Sequence, residues 1–464
     1  MRALLQGFLA TVLLSTGGAA AGNPSDLPTY QSFRSRPDLR PPVVQILRPA
    51  RGTAPGYLFI APKRKAEQAG PMIFDNRGRL VWFRPLNTLG VTDFRVQRYL
   101  GRRVLTWWRA RPTGAESGES HYTIADAAYC TVAIVRPGNG VDGDIHEFML
   151  TPHGTALMTT SRGVHVGGRK ILDGGVQEVD VRTGRVLFDW HGIDHVAQTE
   201  SYYKPPRKDS LPYDYFHVNS IDVDTDGNLL VSARNTHSVY KISRSTGKIL
   251  WRLGGKRSDF TFGREARFAW QHDARRLPDG TIRLFDNAAA PKVRSQSRVI
   301  FLRLDLRRMR ARLVRSVVHR PPLLAINQAN AQSLPNGHLL VGWGHEPYVT
   351  EFDEKGRMLF DLRFGRGADS YRAYRFRWIG RPAAPPDAAA DDGRIYVSWN
   401  GATEVRRWQI LAGPTPRQLR AVRTVPKLGF ETSAALPSDA WVAARALDRA
   451  GRVLGTSRAI RQSS

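Results

Sequence analysis

Residues 226–251 read DGNLLVSARNTHSVYKISRSTGKILW, and this stretch decides the fold. It opens on an Asp-Gly pair that is followed by a short apolar run, Leu229–Ala233. A second turn glycine, Gly247, precedes another apolar run that ends at Trp251. Glycines that separate short apolar runs are typical of β-hairpins whose turns need a positive φ. The stretch therefore predicts two antiparallel hairpins in series.

Both hairpin signals repeat along the chain. The first signal recurs, at spacings of 73, 53 and 57 residues, at His153-Gly154, Asp226-Gly227, Asp279-Gly280 and Asn336-Gly337. The second is a turn glycine followed four residues later by an aromatic residue, at Gly78, Gly184, Gly247 and Gly356. Two hairpins per repeat give a four-stranded sheet of about 50 to 70 residues, which must stack on copies of itself to bury both faces. We therefore predict an all-β fold, a six-bladed β-propeller (five blades are possible) over residues 22–381. An array of β-sandwiches is the alternative.

The end of the chain has a different pattern. A Pro/Ala linker, Pro382–Pro386, precedes alternating strands such as Ile395–Trp399, Val405–Leu411 and Trp441–Asp448. Alternating strands with a Trp near a strand end are typical of small β-sandwiches. We predict a fibronectin type III-like β-sandwich over residues 382–464, with a final propeller blade as the alternative.

Composition excludes several classes of protein. The 464 residues are 41 % hydrophobic, which is ordinary for a globular protein and excludes a wholly disordered chain. The sequence has no apolar run long enough for a transmembrane segment. A formal charge of +28 suggests an anionic partner. The basic residues are dispersed and no nucleic-acid motif occurs, so we expect no nucleic acid partner. Two explanations of the positive charge remain: a small anionic substrate, or coding bias alone.

The N-terminus predicts export. Arg2 is followed by an apolar stretch and then by small residues that end at Ala21, the pattern of a cleaved signal peptide over residues 1–21. We therefore expect a secreted protein, or one located in a periplasm or at a cell surface. The single cysteine, Cys130, is expected to be a buried small hydrophobic residue.

Three histidines occupy one phase of the repeat. His146, His217 and His272 precede their turn glycines by eight, ten and eight residues. In a propeller, strands that begin at the same phase surround one mouth of the central channel, so the three imidazoles are expected to face a shared space. No close pair of histidines with metal-ligand spacing occurs, so no metal is predicted.

The sequence between Phe216 and Arg298 resembles the arylsulfotransferase family in its shorter form. The matching words are Phe-His-Val-Asn-Ser-Ile-Asp (216–222), Ser-Ala-Arg-Asn-Thr-His (232–237), Trp-Arg-Leu-Gly-Gly-Lys (251–256), Trp-Gln-His-Asp-Ala (270–274), Phe-Asp-Asn (285–287) and Ser-Arg (297–298). Val-Gly-Trp-Gly (341–344) and Ser-Tyr-Arg-Ala-Tyr-Arg-Phe (370–376) extend the likeness to most of the chain before residue 380.

The resemblance implies a six-bladed propeller that transfers a sulfuryl group from an aryl sulfate to a phenol. It implies a sulfated histidine intermediate, with no nucleotide sulfate donor and no cofactor. By motif, His217, His272 and Arg298 match catalytic residues of the family. For the histidine that becomes sulfated, His146 is the first candidate and His345 the second.

Other polar residues of these motifs are candidates for substrate binding. They are Asn219, Arg234, Asn287 and His345. The expected ligands are aryl sulfates and phenols. Three other functions fit an exported propeller: non-catalytic binding of anionic or sulfated ligands, sulfate ester hydrolysis, and quinone-dependent dehydrogenation. The last usually shows a repeated Trp motif, and the aromatic residues of the second hairpin signal are too varied for it.

Overall fold

The structure, a computed structural model, describes residues 29–88, 90–110, 120–208, 211–365 and 367–462. Within these ranges the chain forms eight β-sheets, almost all of whose strand pairs are antiparallel, and two short 3-10 helices, Gly192–Asp194 and Gln198–Glu200. The predicted all-β class is confirmed. The predicted signal peptide, residues 1–21, lies outside the described residues.

The strands follow in chain order. Those up to residue 191 are β1 Val44–Arg48, β2 Tyr57–Arg64, β3 Met72–Phe74, β4 Leu80–Phe83, β5 Gly90–Tyr99, β6 Arg102–Ala110, β7 His121–Ala125, β8 Thr131–Val135, β9 Asp142–Leu150, β10 Thr155–Val166, β11 Arg169–Asp180 and β12 Val186–His191. Those up to residue 376 are β13 Val218–Val223, β14 Leu229–Ala233, β15 Ser238–Ile242, β16 Ile249–Gly254, β17 Thr261–Phe262, β18 His272–Arg276, β19 Ile282–Asp286, β20 Arg298–Asp305, β21 Arg310–Val317, β22 Asn330–Ser333, β23 Leu339–Gly342, β24 Tyr348–Phe352, β25 Met358–Phe364 and β26 Ala368–Phe376. The last are β27 Asp387–Asp391, β28 Arg394–Ser398, β29 Arg407–Gly413, β30 Arg420–Pro426, β31 Glu431–Ala435, β32 Trp441–Leu447, β33 Val453–Thr456 and β34 Ile460–Arg461.

Six of the sheets in the described residues form a ring. We number them in chain order: sheet 1 is β26-β2-β3-β4, sheet 2 is β5–β8, sheet 3 is β9–β12, sheet 4 is β13–β16, sheet 5 is β18–β21 with β17 at its edge, and sheet 6 is β22–β25 with β1 at its edge. Each inner strand contacts the next, in the order β26, β5, β9, β13, β18, β22 and back to β26. The arrangement is propeller-like, and the inner strands surround its axis.

The predicted turns are confirmed by the backbone. The glycines of the first signal, Gly154, Gly227, Gly280 and Gly337, join the first and second strands of sheets 3, 4, 5 and 6 with φ between 77° and 81°. Those of the second signal, Gly78, Gly184, Gly247 and Gly356, join the last two strands of sheets 1, 3, 4 and 6 with φ between 71° and 77°. Glycine reaches such φ values without the steric cost of a Cβ atom.

Apolar side chains between neighbouring sheets form the core. One cluster joins Leu157 and Trp190 of sheet 3 to Ile221, Val231 and Tyr240 of sheet 4, and all five are buried. Burial of such surface stabilises the fold by roughly 25 cal/mol per Å² of apolar area. Stacking of the sheets therefore supplies the core that one sheet lacks.

Strands β27–β34 form two further sheets, which we call the C-terminal unit. These two sheets share an apolar cluster that includes Ile395, Trp408 and Val442. The unit is attached to sheet 1, because the Asn400 side chain accepts from the Phe83 N–H (3.0 Å) and donates to the Phe83 carbonyl (2.8 Å).

Cys130 corrects one expectation, because its side chain is exposed rather than buried. It follows the turn between β7 and β8, where its N–H donates to Asp126 Oδ1 (2.9 Å). In the described part of the chain, no helix has the length and hydropathy needed to cross a membrane.

Candidate active site

The three phased histidines meet at one end of the ring. His146 lies in β9, His217 directly precedes β13, and His272 begins β18. These inner strands are neighbours, so the rings converge: the centroids of His146 and His217 are 4.9 Å apart with the planes at 79°. His272 lies close enough to both rings for their charges to contribute to the lowering of its pKa. We call these three residues the histidine cluster.

Two members of the cluster are oriented by carboxylates. His146 Nδ1 contacts Asp144 Oδ1, and His217 Nδ1 contacts Asp214 Oδ2. Burial disfavours the charge of Asp144, but His146 and His217 outweigh it and lower its pKa. With Nδ1 engaged, Nε2 of each ring is the nitrogen left for a substrate. The His217 side chain is 27 % exposed and that of His146 only 8 %, so solvent reaches His217 first.

His272 has an amide partner instead. Its Nδ1 lies 2.8 Å from Asn287 Oδ1, and its Nε2 accepts the Gln328 N–H (3.3 Å). Asn287 Nδ2 donates to the carbonyls of Ala325 (2.9 Å) and Gln328 (3.0 Å), which fixes the amide so that Oδ1 faces the ring. Burial, and then the charge of Arg234, hold the pKa of His272 well below its usual value. His272 is therefore a neutral imidazole that carries its proton on Nδ1.

Arg234 supplies a positive charge beside the cluster. Its guanidinium stacks over the Trp270 ring at 4.7 Å and donates to Asn235 Oδ1 (2.8 Å) and the Ile326 carbonyl (3.1 Å). Its Nε is buried without a hydrogen-bond partner. Burial lowers the pKa of Arg234 to about 10, which leaves it charged at neutral pH. Among the described residues it forms no salt bridge, so its charge remains available to an anion.

Arg298, the arginine that matches the family motif, has its hydrogen bonds with residues outside the histidine cluster. Its Nε donates to Asp286 Oδ2 (2.9 Å), and its Nη2 donates to the carbonyls of Glu265 (3.0 Å) and Arg267 (2.9 Å). These contacts compensate its charge within sheet 5 and do not join it to the histidine cluster. Its predicted catalytic role stays a prediction.

The two remaining candidates for substrate binding lie at different depths. Asn219 is buried in β13, where Nδ2 donates to the Gln271 carbonyl (2.7 Å) and Oδ1 is without a hydrogen-bond partner. His345 is half-buried after β23, and its N–H donates to the Asn327 carbonyl (3.3 Å). It therefore lies beside the segment that covers His272, while its Nδ1 has no partner.

His237 forms an aromatic wall next to Arg234. Its ring stacks on Tyr202 (4.1 Å between centroids, 5° between planes) and meets Trp270 edge-on (4.3 Å, 73°). Burial, followed by the charges of Arg234 and Lys256, lowers the pKa of His237 to about 3, and its Nε2 is buried without a partner. Trp270 and His237 are buried, so the exposed ring of this wall is that of Tyr202, and Arg234 and Lys256 are the two cations beside the rings.

A network of buried charged residues joins the inner strands at the axis of the ring. Arg372 of β26 donates to Asp93 of β5 (2.8 Å), Glu147 of β9 (3.1 Å) and the Asn219 carbonyl of β13 (3.0 Å). Although burial favours its neutral form, the charges of Arg275, Arg372 and Arg95 hold the pKa of Glu147 well below its usual value. The network fills the axis with compensated charge.

A sequence profile of the Arylsulfotransferase (ASST) family matches residues 116–365, more than half of the chain. The chain belongs to the arylsulfotransferase (ASST) family. The matched range contains the histidine cluster, Arg234 and Arg298, so the resemblance found from motifs is confirmed. At the level of the family, membership supports an enzyme of the sulfotransferase type.

No curated protein matches this ASST-family chain. Among solved structures it is similar to a protein of unknown function from Bacteroides caccae (15 % identity, 69 % of this chain and 98 % of the other, TM-score 0.43). It is also similar to a catalytically inactive virginiamycin B lyase from Staphylococcus aureus (9 % identity, 77 % and 96 %, TM-score 0.35).

Sequence reasoning missed several residues of the ASST-family site. Asp144 and Asp214 are two of them, and each lies two or three residues before a cluster histidine. That spacing was the signal that could have found them. His237 ends the motif Ser-Ala-Arg-Asn-Thr-His (232–237), but only the folded chain shows its ring between Tyr202 and Trp270. Gln328 belongs to none of the motifs. Within the described residues, no group of three or more His, Cys, Asp or Glu side chains is placed to hold a metal ion.

Proposed function

We propose that this protein is an exported aryl-sulfate sulfotransferase that moves a sulfuryl group from an aryl sulfate to a phenol through a sulfated histidine. One observation carries the proposal: two carboxylate-oriented imidazoles meet edge to face beside an arginine that has no salt bridge among the described residues. Such a set offers a nucleophile, an acid and a cation at one place.

Arg234 binds the sulfate group in this proposal. A guanidinium presents several N–H donors to the oxygens of a tetrahedral anion, and its Nε still lacks a partner. The transition state for sulfuryl transfer resembles that for phosphoryl transfer, with charge on three peripheral oxygens, so a fixed cation is most valuable there. The exposed Tyr202 ring provides a surface for the aryl group, while the buried Trp270 ring holds the Arg234 guanidinium in place.

The reaction proceeds in two half-reactions. The lone pair on His146 Nε2 attacks sulfur, an N–S bond forms and the S–O(aryl) bond breaks, while protonated His217 gives its Nε2 proton to the leaving phenolate. An acceptor phenol then attacks the same sulfur, the N–S bond breaks, and His217 takes the phenol proton. Asp144 and Asp214 stabilise the positive charge that each ring carries in turn. His272, which is neutral, positions Gln328 rather than transferring a proton.

Three structural statements accompany this function. Residues 1–21 are a cleaved signal peptide, residues 22–381 are a six-bladed propeller with one blade per ring sheet, and residues 382–464 are a fibronectin type III-like sandwich. The ring of inner-strand contacts and the core shared by β28, β29 and β32 support the last two. The proposal includes no nucleotide sulfate donor and no cofactor.

Turnover of 4-nitrophenyl sulfate, with and without added phenol, tests the function. We expect nitrophenolate release that depends on phenol and that His146→Ala and His217→Ala each abolish. His165→Ala changes an exposed histidine in the β10–β11 hairpin and serves as the matched control. Mass spectrometry after an alkaline quench without acceptor should locate the sulfuryl group on His146.

The other outcomes distinguish the alternatives. Nitrophenolate release that does not depend on phenol would indicate a hydrolase instead of a transferase. A sulfuryl group on His217 or His345 would overturn the assignment of His146 while keeping the reaction. Binding of aryl sulfates by the folded protein without any release would favour a non-catalytic propeller that binds anions through Arg234.

A further inference from the structure

A cleft lies where the C-terminal unit meets sheet 1, and it shares no residue with the histidine site. Its cavity volume is about 180 Å³. The polar and charged side chains that line it are Tyr57, Asp75 and Arg79 from sheet 1 and its turn, and Thr403, Arg406 and Lys427 from the C-terminal unit.

The charges in this cleft do not balance. Three cations face one carboxylate, and that carboxylate is already bound: Arg79 donates to Asp75 Oδ2 from Nε (2.8 Å) and Nη2 (2.7 Å). Asp75 Oδ1 also accepts the N–H groups of Arg77 (2.9 Å) and Arg79 (3.1 Å). Asp75 is therefore saturated and leaves two positive charges without a counterion.

Those two cations have only backbone partners among the described residues. Arg406 Nη1 donates to the carbonyls of Thr403 (2.9 Å) and Val405 (3.1 Å), and Lys427 Nζ donates to the Ala402 carbonyl (3.2 Å). Burial, and then the charges of Arg406 and Arg79, lower the pKa of Lys427 to about 8. Burial also raises the pKa of Tyr57, so its hydroxyl keeps its proton and can donate. An anion bound between these cations would relieve their mutual repulsion.

We propose that this cleft binds a sulfate- or phosphate-type oxyanion, which bridges Arg79 of sheet 1 to Arg406 and Lys427 of the C-terminal unit. A tetrahedral anion accepts several charge-assisted hydrogen bonds at once, which suits two guanidinium groups and an ammonium group around one small cavity. Because the cations come from both sides of the cleft, the anion fastens the C-terminal unit to the ring. The proposal is independent of the proposed sulfotransferase activity.

Thermal unfolding of the full-length protein tests the site, with sodium sulfate titrated against sodium chloride at equal ionic strength. We expect a saturable rise of Tm with sulfate, and an apparent affinity about tenfold weaker in both Lys427→Gln and Arg406→Gln. Arg417→Gln, which removes an exposed arginine from the same unit, should behave like the wild type. The anion could be a sulfate ester or the free ion, and methyl sulfate distinguishes the two. If methyl sulfate competes with sulfate for the cleft, the cleft accepts esters; if it does not, the ligand is the free ion.

Sulfate can also bind at Arg234, so the two sites must be separated. If the cleft binds sulfate, Arg234→Gln keeps the rise of Tm, and Lys427→Gln keeps whatever turnover of 4-nitrophenyl sulfate the wild type has. A response that Arg234→Gln abolishes and the cleft variants retain would overturn the proposal, as would no response beyond that to chloride.

A calorimetric titration of the wild type does not depend on the folding of any variant. Sulfate affinity should fall as the pH rises through about 8, because Lys427 loses its charge there. Arg79, Arg406, Asp75 and Tyr57 are the other charged or titratable groups that face it. Equal affinity at either side of that pH would contradict the role of Lys427.

Discussion

At the scale of single residues, the site gives different chemistry to three identical side chains. His146 and His217 have carboxylate partners at Nδ1, which stabilise a positively charged ring. At His272 the partner is an amide oxygen, which accepts a hydrogen bond from Nδ1 but adds no charge. The carboxylates can stabilise a charged ring at His146 and His217, whereas burial and the charge of Arg234 keep His272 neutral.

Asp214→Asn tests this division of roles. The amide keeps the size of the side chain but cannot stabilise a charged His217, so kcat should fall about 100-fold while KM changes little. Steady-state kinetics with an aryl sulfate and a phenol measure both constants. Asp392→Asn, at an exposed turn, is the control. A large rise of KM at constant kcat would indicate that Asp214 binds substrate instead.

His237 makes the stability of the protein depend on pH. The folded state lowers its pKa to about 3, below the usual value near 6.5, because the ring is buried beside Arg234 and Lys256. The neutral form is thus favoured in the folded protein, and this contribution is complete above pH of about 6.5 and is lost as the pH falls.

The variant His237→Phe removes that dependence while it keeps an aromatic ring between Tyr202 and Trp270. Between about pH 6 and pH 4, the free energy of unfolding of the wild type should fall more steeply than that of the variant, by about 1.4 kcal/mol per pH unit. Urea unfolding at several pH values measures both slopes. Parallel curves would show that the imidazole is protonated in the folded state.

The sequence predicts the positions of the histidines better than their partners. The phase of His146, His217 and His272 follows from the distance to a turn glycine, which the strand repeat fixes. The contrast between Arg234 and Arg298 could not be predicted, because a motif identifies an arginine but not the carboxylate that occupies it. Only the folded chain shows Asp286 on Arg298 and no salt bridge on Arg234 within the described residues.

At the scale of elements, the hairpins were predictable and the closure of the ring was not. Turn glycines report local geometry, and every one used in the prediction has the expected positive φ. Sheet 1, in contrast, pairs β2 with β26, where Phe59 faces Tyr374 across more than 300 residues of chain. Strand β26 is buried along almost its whole length although it contains two arginines, so no alternation of polar and apolar residues marks it as a strand.

Asn330 joins two inner strands of the ring side by side. Its Nδ2 donates to the Ala373 carbonyl and its Oδ1 accepts the Ala373 N–H, both at 2.9 Å. Asn330→Ala leaves two buried backbone groups unpaired, so the free energy of unfolding should fall by about 2 to 4 kcal/mol. Chemical denaturation measures the loss, and Asn336→Ala at an exposed turn should cost clearly less. Equal costs would mean that water replaces the amide.

At the scale of the whole molecule, the axis is held by charge rather than by apolar packing. Arg372 reaches from sheet 1 to carboxylates of sheets 2 and 3 and to a carbonyl of sheet 4, so four sheets depend on one fully buried guanidinium. Its placement requires the complete ring. The sequence predicts the repeat that builds the ring but not this network, whose members come from several sheets and share no motif.

Arg372→Met tests whether the network makes the ring cooperative. The thioether fills part of the space but leaves Asp93 and Glu147 as buried charges with fewer partners, which should cost about 3 to 5 kcal/mol of unfolding free energy. The unfolding free energy of Arg372→Lys should lie between those of the wild type and Arg372→Met, because one ammonium group cannot reach all three partners in the same geometry. Arg423→Met, on an exposed strand of the C-terminal unit, is the control.

Denaturation followed by tryptophan fluorescence and by circular dichroism should give coincident transitions in the wild type. A cost for Arg372→Met no larger than that of the control would mean that apolar contacts between neighbouring sheets hold the ring without the charges at its axis.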